Sequence, residues 1–328
     1  MSVHLIHFTY LDSSPSRLAE YLFSALPGGL EKLSLDPLMS KSKVRRLIVS
    51  GAVAVNGSQA RHADFPLVRG NRVTVRFDEE KFSFEKKPDD IAFALTAASI
   101  LFEDDDIIVI NKPANFPTEA TIVGSRDHLH ASVKRFLALR DGTRREDIEP
   151  YVGLHHRLDR ETSGVILFTK KRTANAAVHL MFLEHRTVKH YQALTIRPKK
   201  LPPATFSVDN ELSRVSAKSA AGKWGAVKTG GEHAHTDFRV MEERKNGLLI
   251  LAVPLTGRTH QIRVHLAGLG MPLLGDALYG GPERAGAAAG ARIMLHAASL
   301  TFPHPVTGEM MTVSAPLPDD FTVCLAGL

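Results

Sequence analysis

The chain has 328 residues, 44% of them hydrophobic and 23% charged, with a formal net charge of +6; this balance excludes a disordered or fibrous chain and leaves room for two domains. A single cysteine, Cys324, excludes an internal disulfide framework and a thiolate metal cluster, which suits a reducing compartment, and a cytoplasmic location is expected. The opening "MSVHLIHFTYLDSSPSR" lacks a basic segment followed by a long apolar core, and no apolar run reaches spanning length, so neither export nor membrane insertion is expected.

Charge is concentrated early in the chain. Between Leu38 and Phe77 eight basic residues (Lys41, Lys43, Arg45, Arg46, Arg61, Arg69, Arg72, Arg76) stand against one acid, Asp64, so this stretch carries +7 and the remainder, by difference from +6, carries −1. A compact basic segment joined to a near-neutral body has the charge layout of a polyanion-binding module attached to a second function. An arbitrary basic run is more often a solvated face, so the local pattern has to decide. In "LMSKSKVRRLIVSGAVAVNGSQA", Ser40 can cap a helix whose Val44, Leu47 and Ile48 form an apolar stripe, with Lys41 and Arg45 recurring at i, i+4 on another face. Ser50-Gly51 stops that helix, Ala52 to Val55 alternates as a short strand, Asn56-Gly57 is a hairpin turn, and "NRVTVRF" supplies a later strand. This order resembles the S-four-like RNA-binding module of a small-subunit ribosomal protein and of several RNA-modifying enzymes. The resemblance implies that the basic helix lies on structured RNA through Lys41, Arg45 and Arg46. The module is assigned to residues 1–80, a connection containing "DEEKFSFEKKPDD" to 81–99, and a second body to 100–328.

The second body opens with "ILFEDDDIIVINKPANFPTEA": an acidic turn, a strand from Ile107 to Asn111, and a Lys-Pro break. Three consecutive aspartates in a turn point different ways, so they read as surface and not as a divalent-cation site. "LHASVKRFLAL" carries a helical stripe, and "HHRLDRETSG" leads into a strand from Val165 to Thr169. In "TANAAVHLMFLEHR", Ala177, Val178, Met181, Phe182 and His185 fall on one helical face. "KHYQALTI", "HTDFRVMEE", "GLLILAVPL", "RIMLHAASL" and "EMMTVSAP" read as strands; "RTHQIRVHLAGLG" reads as a helix with Ile262, Leu266 and Leu269 on one face, ended by Gly270. "PERAGAAAGAR" reads as a mobile surface loop. Strands outnumber helices and adjoin turns, so the expected fold is α+β, with a mixed, largely antiparallel sheet and packed helices.

Most familiar chemistries do not fit. His155-His156 diverge in a turn, and His233-Ala-His235 lacks a third ligand, so no metal is expected. "PLTGRTHQ" has neither the spacing nor the lysine of a phosphate-cradling loop. Ser163-Gly164 lacks the first glycine of a nucleophile elbow, and Asp159 has only Glu161 near it, where glycoside hydrolysis needs two flanking carboxylates.

What remains is "HRLDRETSGVILFTK", in which Asp159 lies between Arg157 and Arg160, taken with "KHYQAL" and "GRTHQIRVHLAGLGMPLLGDALYG". These stretches, with "DDDIIVINKPANFPTEA" before them and "IMLHAASLTFPHP" after, resemble in order the matching segments of the pseudouridine synthases that modify ribosomal and transfer RNA. Asn115 stands where that family carries a glycine. The resemblance implies that uridine is turned into its carbon-linked isomer: the bond from ribose to base nitrogen breaks, the base turns while bound, and the bond re-forms through ring carbon five. Net water is never consumed, so one carboxylate serves, as nucleophile or as base toward the ribose, where a second activating water would hydrolyse the base away. The resemblance assigns that carboxylate to Asp159, its cationic partner to Arg263, the aromatic against the base, with a part in proton transfer at carbon five, to Tyr191, filling the vacated stack or holding the distorted backbone to Arg157, and an apolar position beside the pocket to Leu295. His156, Thr162 and Ser163 are expected to shape the turn.

Taken singly, Asp159 and Arg263 read as a structural ion pair, Tyr191 as a packed strand residue and Arg157 as a surface cation. A non-catalytic RNA-binding or ribosome-assembly protein is therefore the rival, which the joint presence of Asp159, Tyr191 and Arg263 disfavours. Ribosomal RNA of the large subunit is the expected substrate, because the added basic module extends the phosphate footprint, with transfer RNA as the alternative. An isomerisation implies no cofactor, and a monomer is the default.

Overall fold

The structure, a computed structural model, describes residues 3–33, 39, 41–78, 91–120, 127–140, 150–216, 222–286, 288–290 and 292–328. The chain divides into two compact units, Met1–Asp89 and Asp90–Leu328.

The first unit contains β1 (Val3–Thr9), β2 (Ser16–Arg17), α1 (Leu18–Glu31), α2 (Lys41–Val49), β3 (Val53–Val55), β4 (Ser58–Gln59), β5 (Pro66–Leu67) and β6 (Arg72–Asp78). Its antiparallel sheet runs β1-β6-β3-β4, and β2 pairs with β5. Leu18, Leu22, Leu26 and Leu30 recur every fourth residue along α1 and are all buried, in one core with Val44, Leu47 and Ile48 of α2 and Val73 and Val75 of β6. Asn56 and Gly57 have φ of 50° and 84°, the pair of left-handed residues a two-residue hairpin requires between β3 and β4. The expected cap, Ser40, lies outside the described residues.

The second unit contains β7 (Ile100–Glu103), β8 (Ile107–Lys112), α3 (Leu129–Arg140), β9 (Gly153–Leu154), β10 (Ser163–Thr169), α4 (Asn175–Leu183), β11 (Val188–Ile196), β12 (Thr205–Arg214), β13 (Trp224–Val227), β14 (Glu232–Glu243), β15 (Gly247–Pro254), α5 (Gln261–Gly268), β16 (Arg284–Ala285), β17 (Ala288–Ala289), β18 (Leu295–Pro303), β19 (Met310–Ser314) and α6 (Asp319–Gly327). Its main sheet runs β13-β12-β14-β15-β11-β18-β10-β8-β7, with β19 on β18 and β9 on β10. Among the described residues only β10 and β18 pair in parallel, so the sheet is mixed and largely antiparallel.

The central strands read as continuous apolar runs because both their faces are covered. Ile108, Ile110, Ile166 and Phe168 pack under Leu129, Val133 and Leu137 of α3. Their neighbours Ile107, Val109, Val165 and Leu167 point the other way, onto Val178 and Met181 of α4 and Phe302 and Val313. In β15, Leu248 and Ile250 pack on Ile262 and Leu266 of α5, whereas Leu249 faces Phe321 of α6.

Four expectations change. Leu269 is exposed, because the helix ends before it in a turn at Gly270. His185 lies beyond the end of α4, with φ of 54°. "PERAGAAAGAR" contains the paired strands β16 and β17 where a loop was expected. Of the connection placed at 81–99, residues 91–99 belong to the second unit: Leu95 is in its core and Phe93 packs on Phe116. Asn115, at the family's glycine position, has φ of 59°; asparagine is among the few residues that adopt this conformation readily.

Gly164 is where sequence and topology meet. Its φ is +114°, and a Cβ there would lie 2.1 Å from the Ala297 carbonyl oxygen, so only glycine lets β10 close on β18. Gly164→Ala is expected to destabilise the unit by at least about 2 kcal/mol. Gly268→Ala, at a helical position with nothing within 4 Å, is expected to stabilise it by roughly 0.5–1 kcal/mol. Urea unfolding of the two variants checks both signs.

Candidate active site

Asp159, Tyr191, Arg263, Arg157 and Leu295 come from four separate stretches of chain and line one cavity of about 460 Å³. Lys41 and Arg45 are exposed on α2 of the first unit, whereas the side chain of Arg46 lies outside the described residues.

The turn that carries Asp159 joins β9 to β10 and is fastened at almost every residue. The Leu167 N–H donates to His156 Nε2 at 2.9 Å, and the imidazole stacks on Phe182 at 4.6 Å. Burial, with Lys189 beside it, pushes His156 down to about 3, so it stays neutral with its hydrogen on Nδ1. Thr118 Oγ1 donates to the Leu158 carbonyl at 2.7 Å, and the Thr162 N–H donates to the Asp159 carbonyl at 3.1 Å. Ser163 Oγ lies 2.9 Å from His296 Nδ1. Lys112, fully buried beneath, donates to the carbonyls of Pro113 and Arg160 at 2.8 and 2.9 Å. Burial pulls its ammonium down to about 7 against the attraction of Glu161 and Asp159.

Arg263, on α5, supplies the opposite charge. Its Nη1 donates to Asp159 Oδ2 at 3.0 Å, while Nε and Nη2 form a fork on Asp276 at 2.7 and 2.9 Å. Its side chain is 5% exposed and that of Asp276 1%, against 19% for Asp159. Burial opposes the guanidinium charge, but the Asp276 hydrogen bonds and both carboxylates outweigh it and hold Arg263 above its usual range. The guanidinium also lies over the Tyr279 ring, 5.1 Å from its centroid.

Tyr191 reaches the cavity through an irregularity in β11's pairing with β18: His190 pairs with Ser299 but Tyr191 with Ala297, leaving Ala298 as the extra residue. Burial, and then the Asp159 charge, raise the phenol well above its usual range, so it is a neutral O–H near neutral pH. On the same strand Lys189 Nζ reaches the Thr256 carbonyl at 3.4 Å, and burial lowers it to about 8. Leu295 is buried where β18 begins, opposite Ala193.

The segment before α5 is bolted by Gln261. Its Oε1 accepts from Thr256 Oγ1 and the Arg258 N–H, at 2.7 and 2.9 Å, and its Nε2 donates to His235 O and Thr236 Oγ1, both at 2.9 Å. At the rim, exposed Arg157 pairs with Glu119 at 2.9 Å and Arg258 with Glu232 at 2.6 Å. His233 and His235 both turn to Asp209.

Sequence reasoning missed Asp276, Lys112, Gln261, His260 and Tyr279. Asp276, His260, Gln261 and Tyr279 all lie within the stretch Gly257 to Gly280 that carries Arg263, but no spacing rule announces which of them turns inward. What the arrangement can do is present one carboxylate, held by a buried cation, to a substrate among neutral and cationic groups. The other cavity carboxylate, Glu119, is engaged by Arg157.

The chain is similar to known proteins. Residues 106–268 match the family described as RNA pseudouridylate synthase. Ribosomal large subunit pseudouridine synthase D of Vibrio cholerae serotype O1 is 32% identical, covering 86% of this chain and 84% of that protein. Ribosomal large subunit pseudouridine synthase C of Escherichia coli (strain K12) is 32% identical, covering 100% of this chain and 97% of that one. Among solved structures, human RNA pseudouridylate synthase domain containing 4 has a TM-score of 0.55 and 27% identity, covering 70% of this chain and 92% of that one.

Removing one member of a buried ion pair leaves an uncompensated charge at a cost of about 3–5 kcal/mol. Asp276→Ala is expected to show a loss of that order in urea unfolding, and Asp276→Asn, which keeps one acceptor for the fork, a smaller one.

Proposed function

Because the chain belongs to the RNA pseudouridylate synthase family, we propose that it isomerises uridine in large-subunit ribosomal RNA, with Asp159 as the reacting carboxylate. The observation that carries this reading is Asp159 at a cavity wall, bonded to the buried Arg263. The relatives at 32% identity bear the names of large-subunit ribosomal enzymes and align over most of this chain, which supports ribosomal RNA over transfer RNA.

In the proposed sequence the target uridine leaves its stack, at a cost of a few kcal/mol, and enters the cavity while Arg157 fills or braces the gap. Asp159, bonded to Arg263, acts on the ribose, and the C1′–N1 bond breaks. The freed uracil turns between Tyr191 and Leu295, C1′ bonds to C5 as Asp159 is released unchanged, and the one proton lost from C5 is matched by the one gained at N1, so atoms and charge balance without net consumption of water. As a neutral phenol, Tyr191 is a hydrogen-bonding wall for the base and not a phenolate base. The cationic rim of Arg157 and Arg258 suits the flanking phosphates.

The first unit is proposed to be the S-four-like RNA-binding module, with Lys41, Arg45 and Arg46 on phosphates. The compartment proposed is the cytoplasm, consistent with the unpaired, buried Cys324. Among the described residues no helix is long and apolar enough to cross a membrane. A monomer acting without cofactor is proposed, since isomerisation needs no oxidant, reductant or phosphoryl donor.

A pseudouridine map of RNA from cells lacking the protein, complemented with wild type or Asp159→Asn, tests the reading. A large-subunit site should vanish and return only with wild type; restoration by Asp159→Asn would remove Asp159 from the chemistry. Changing Lys41, Arg45 and Arg46 together to glutamine should reduce the slope of log affinity against log salt by roughly 0.7–0.9 for each phosphate that these side chains neutralise. Filter-binding titrations between low and high salt measure it.

A further inference from the structure

The turn leading into α5 holds a residue that neither the steps above nor the resemblance uses. His260 has φ of +57°, a left-handed conformation uncommon for residues other than glycine. Its ring is clamped: Nδ1 lies 2.8 Å from the Tyr279 hydroxyl, and the two rings meet edge to face at 5.6 Å. The Tyr279 oxygen accepts the Trp224 N–H at 3.0 Å. With that oxygen already accepting, the arrangement that leaves no donor idle has the phenol give its proton to His260 Nδ1, so the imidazole carries its own hydrogen on Nε2. Nε2 lies 3.8 Å from Asp159 Oδ2, the same oxygen that accepts from Arg263.

The groups facing the ring are Asp159, Glu161 and Asp276, which favour a charged imidazole, and Arg263, which disfavours it, with the Tyr279 hydroxyl on Nδ1. Burial is the largest influence, and the balance lies below the ordinary histidine value, so the ring is neutral near neutral pH. Burial likewise raises the Tyr279 phenol, which keeps its proton.

We propose that His260 is a positioning residue for Asp159: a neutral Nε2–H donor, fixed in that tautomer by Tyr279, that steadies the carboxylate on its Oδ2 side and leaves Oδ1 to meet the ribose. The inference rests on Asp159 being the reacting carboxylate. At 3.8 Å the contact is longer than a hydrogen bond, and such contacts commonly close when substrate fills a site. Neutrality is the point of the device. A charged imidazole here would form a second ion pair with Asp159 and hold back the carboxylate, whereas the neutral tautomer orients it without quenching its charge. A left-handed non-glycine residue costs of order 1 kcal/mol; here that strain falls on the residue whose ring faces the reacting group.

Single-turnover rates on an RNA fragment containing the target uridine, from pH 5 to 9, test this with His260→Gly, His260→Gln, Tyr279→Phe and Asp159→Asn. Glycine suits the left-handed backbone, so His260→Gly removes the ring alone. It is expected to slow the step about 10- to 100-fold, the loss of one hydrogen bond to a charged group, with RNA affinity unchanged. His260→Gln, which returns a neutral N–H, should recover part of the rate. Tyr279→Phe removes the donor that favours the neutral ring, so the imidazole's pKa rises and the acid-side fall in rate moves to higher pH by about one unit. A wild-type rate and pH profile in His260→Gly, with Asp159→Asn inactive, overturns the positioning role and leaves the Asp159 reading standing. Wild-type turnover by Asp159→Asn overturns that reading first. Should His260→Gly fail to fold, as judged by circular dichroism, the Tyr279→Phe profile decides: an unmoved acid limb overturns the proposal.

Discussion

A buried guanidinium shared by two carboxylates is the interaction on which the second unit's site depends. Arg263 is almost wholly out of water, where an unpaired charge would cost several kcal/mol. The fork on Asp276 meets most of that cost, and the remaining Nη1 is left directed at Asp159. Lysine could not do this, because a compact ammonium has no planar fork with a further donor at a fixed angle. Asp276 is therefore as much a part of the arrangement as the residue it serves. Its own position follows from Gly275, whose φ of +77° and close approach to the Arg292 carbonyl leave no room for a side chain.

The same logic extends outward through neutral groups. His156, Thr118 and Lys112 tie the turn at residues 156–162 to three different strands or loops, and the Thr162 N–H closes it on the Asp159 carbonyl, so the backbone that carries Asp159 is held on several sides. Arg292, buried and forked on Asp320 of α6, also donates to the Ile293 and Leu295 carbonyls at 3.0 and 3.2 Å. The end of the chain thus supports the start of β18. Fixed dipoles and charges of this kind act without reorganising during a reaction, which makes their placement worth more than their individual strength.

The two units place their cations differently. The first carries eight basic residues against one acid between Leu38 and Phe77, on a small fold whose core includes a leucine stripe, and the second buries Arg263 and Arg292 and sets Arg157 and Arg258 at the edge of its cavity.

The amino-acid sequence by itself determined what repeats locally. The apolar stripe and basic face of α2, the Asn56-Gly57 turn and the apolar runs of β8 and β10 follow from periodicity and backbone preference, which act over a few residues. Family resemblance placed Asp159, Tyr191, Arg263, Arg157 and Leu295 among the expected site residues, and the fold gathers them around one cavity. Tertiary structure alone decided the rest. Asn115 takes the left-handed turn that a glycine was expected to fill, Leu269 points outward, and the alanine-rich segment pairs with itself. Asp276, Lys112, Gln261, His260 and Tyr279 became visible as partners only when sheet register brought distant groups within hydrogen-bonding reach of one another. A hydrogen bond between residues 104 positions apart, as between Asp159 and Arg263, leaves no periodic trace. Its existence depends on the path of every strand between them.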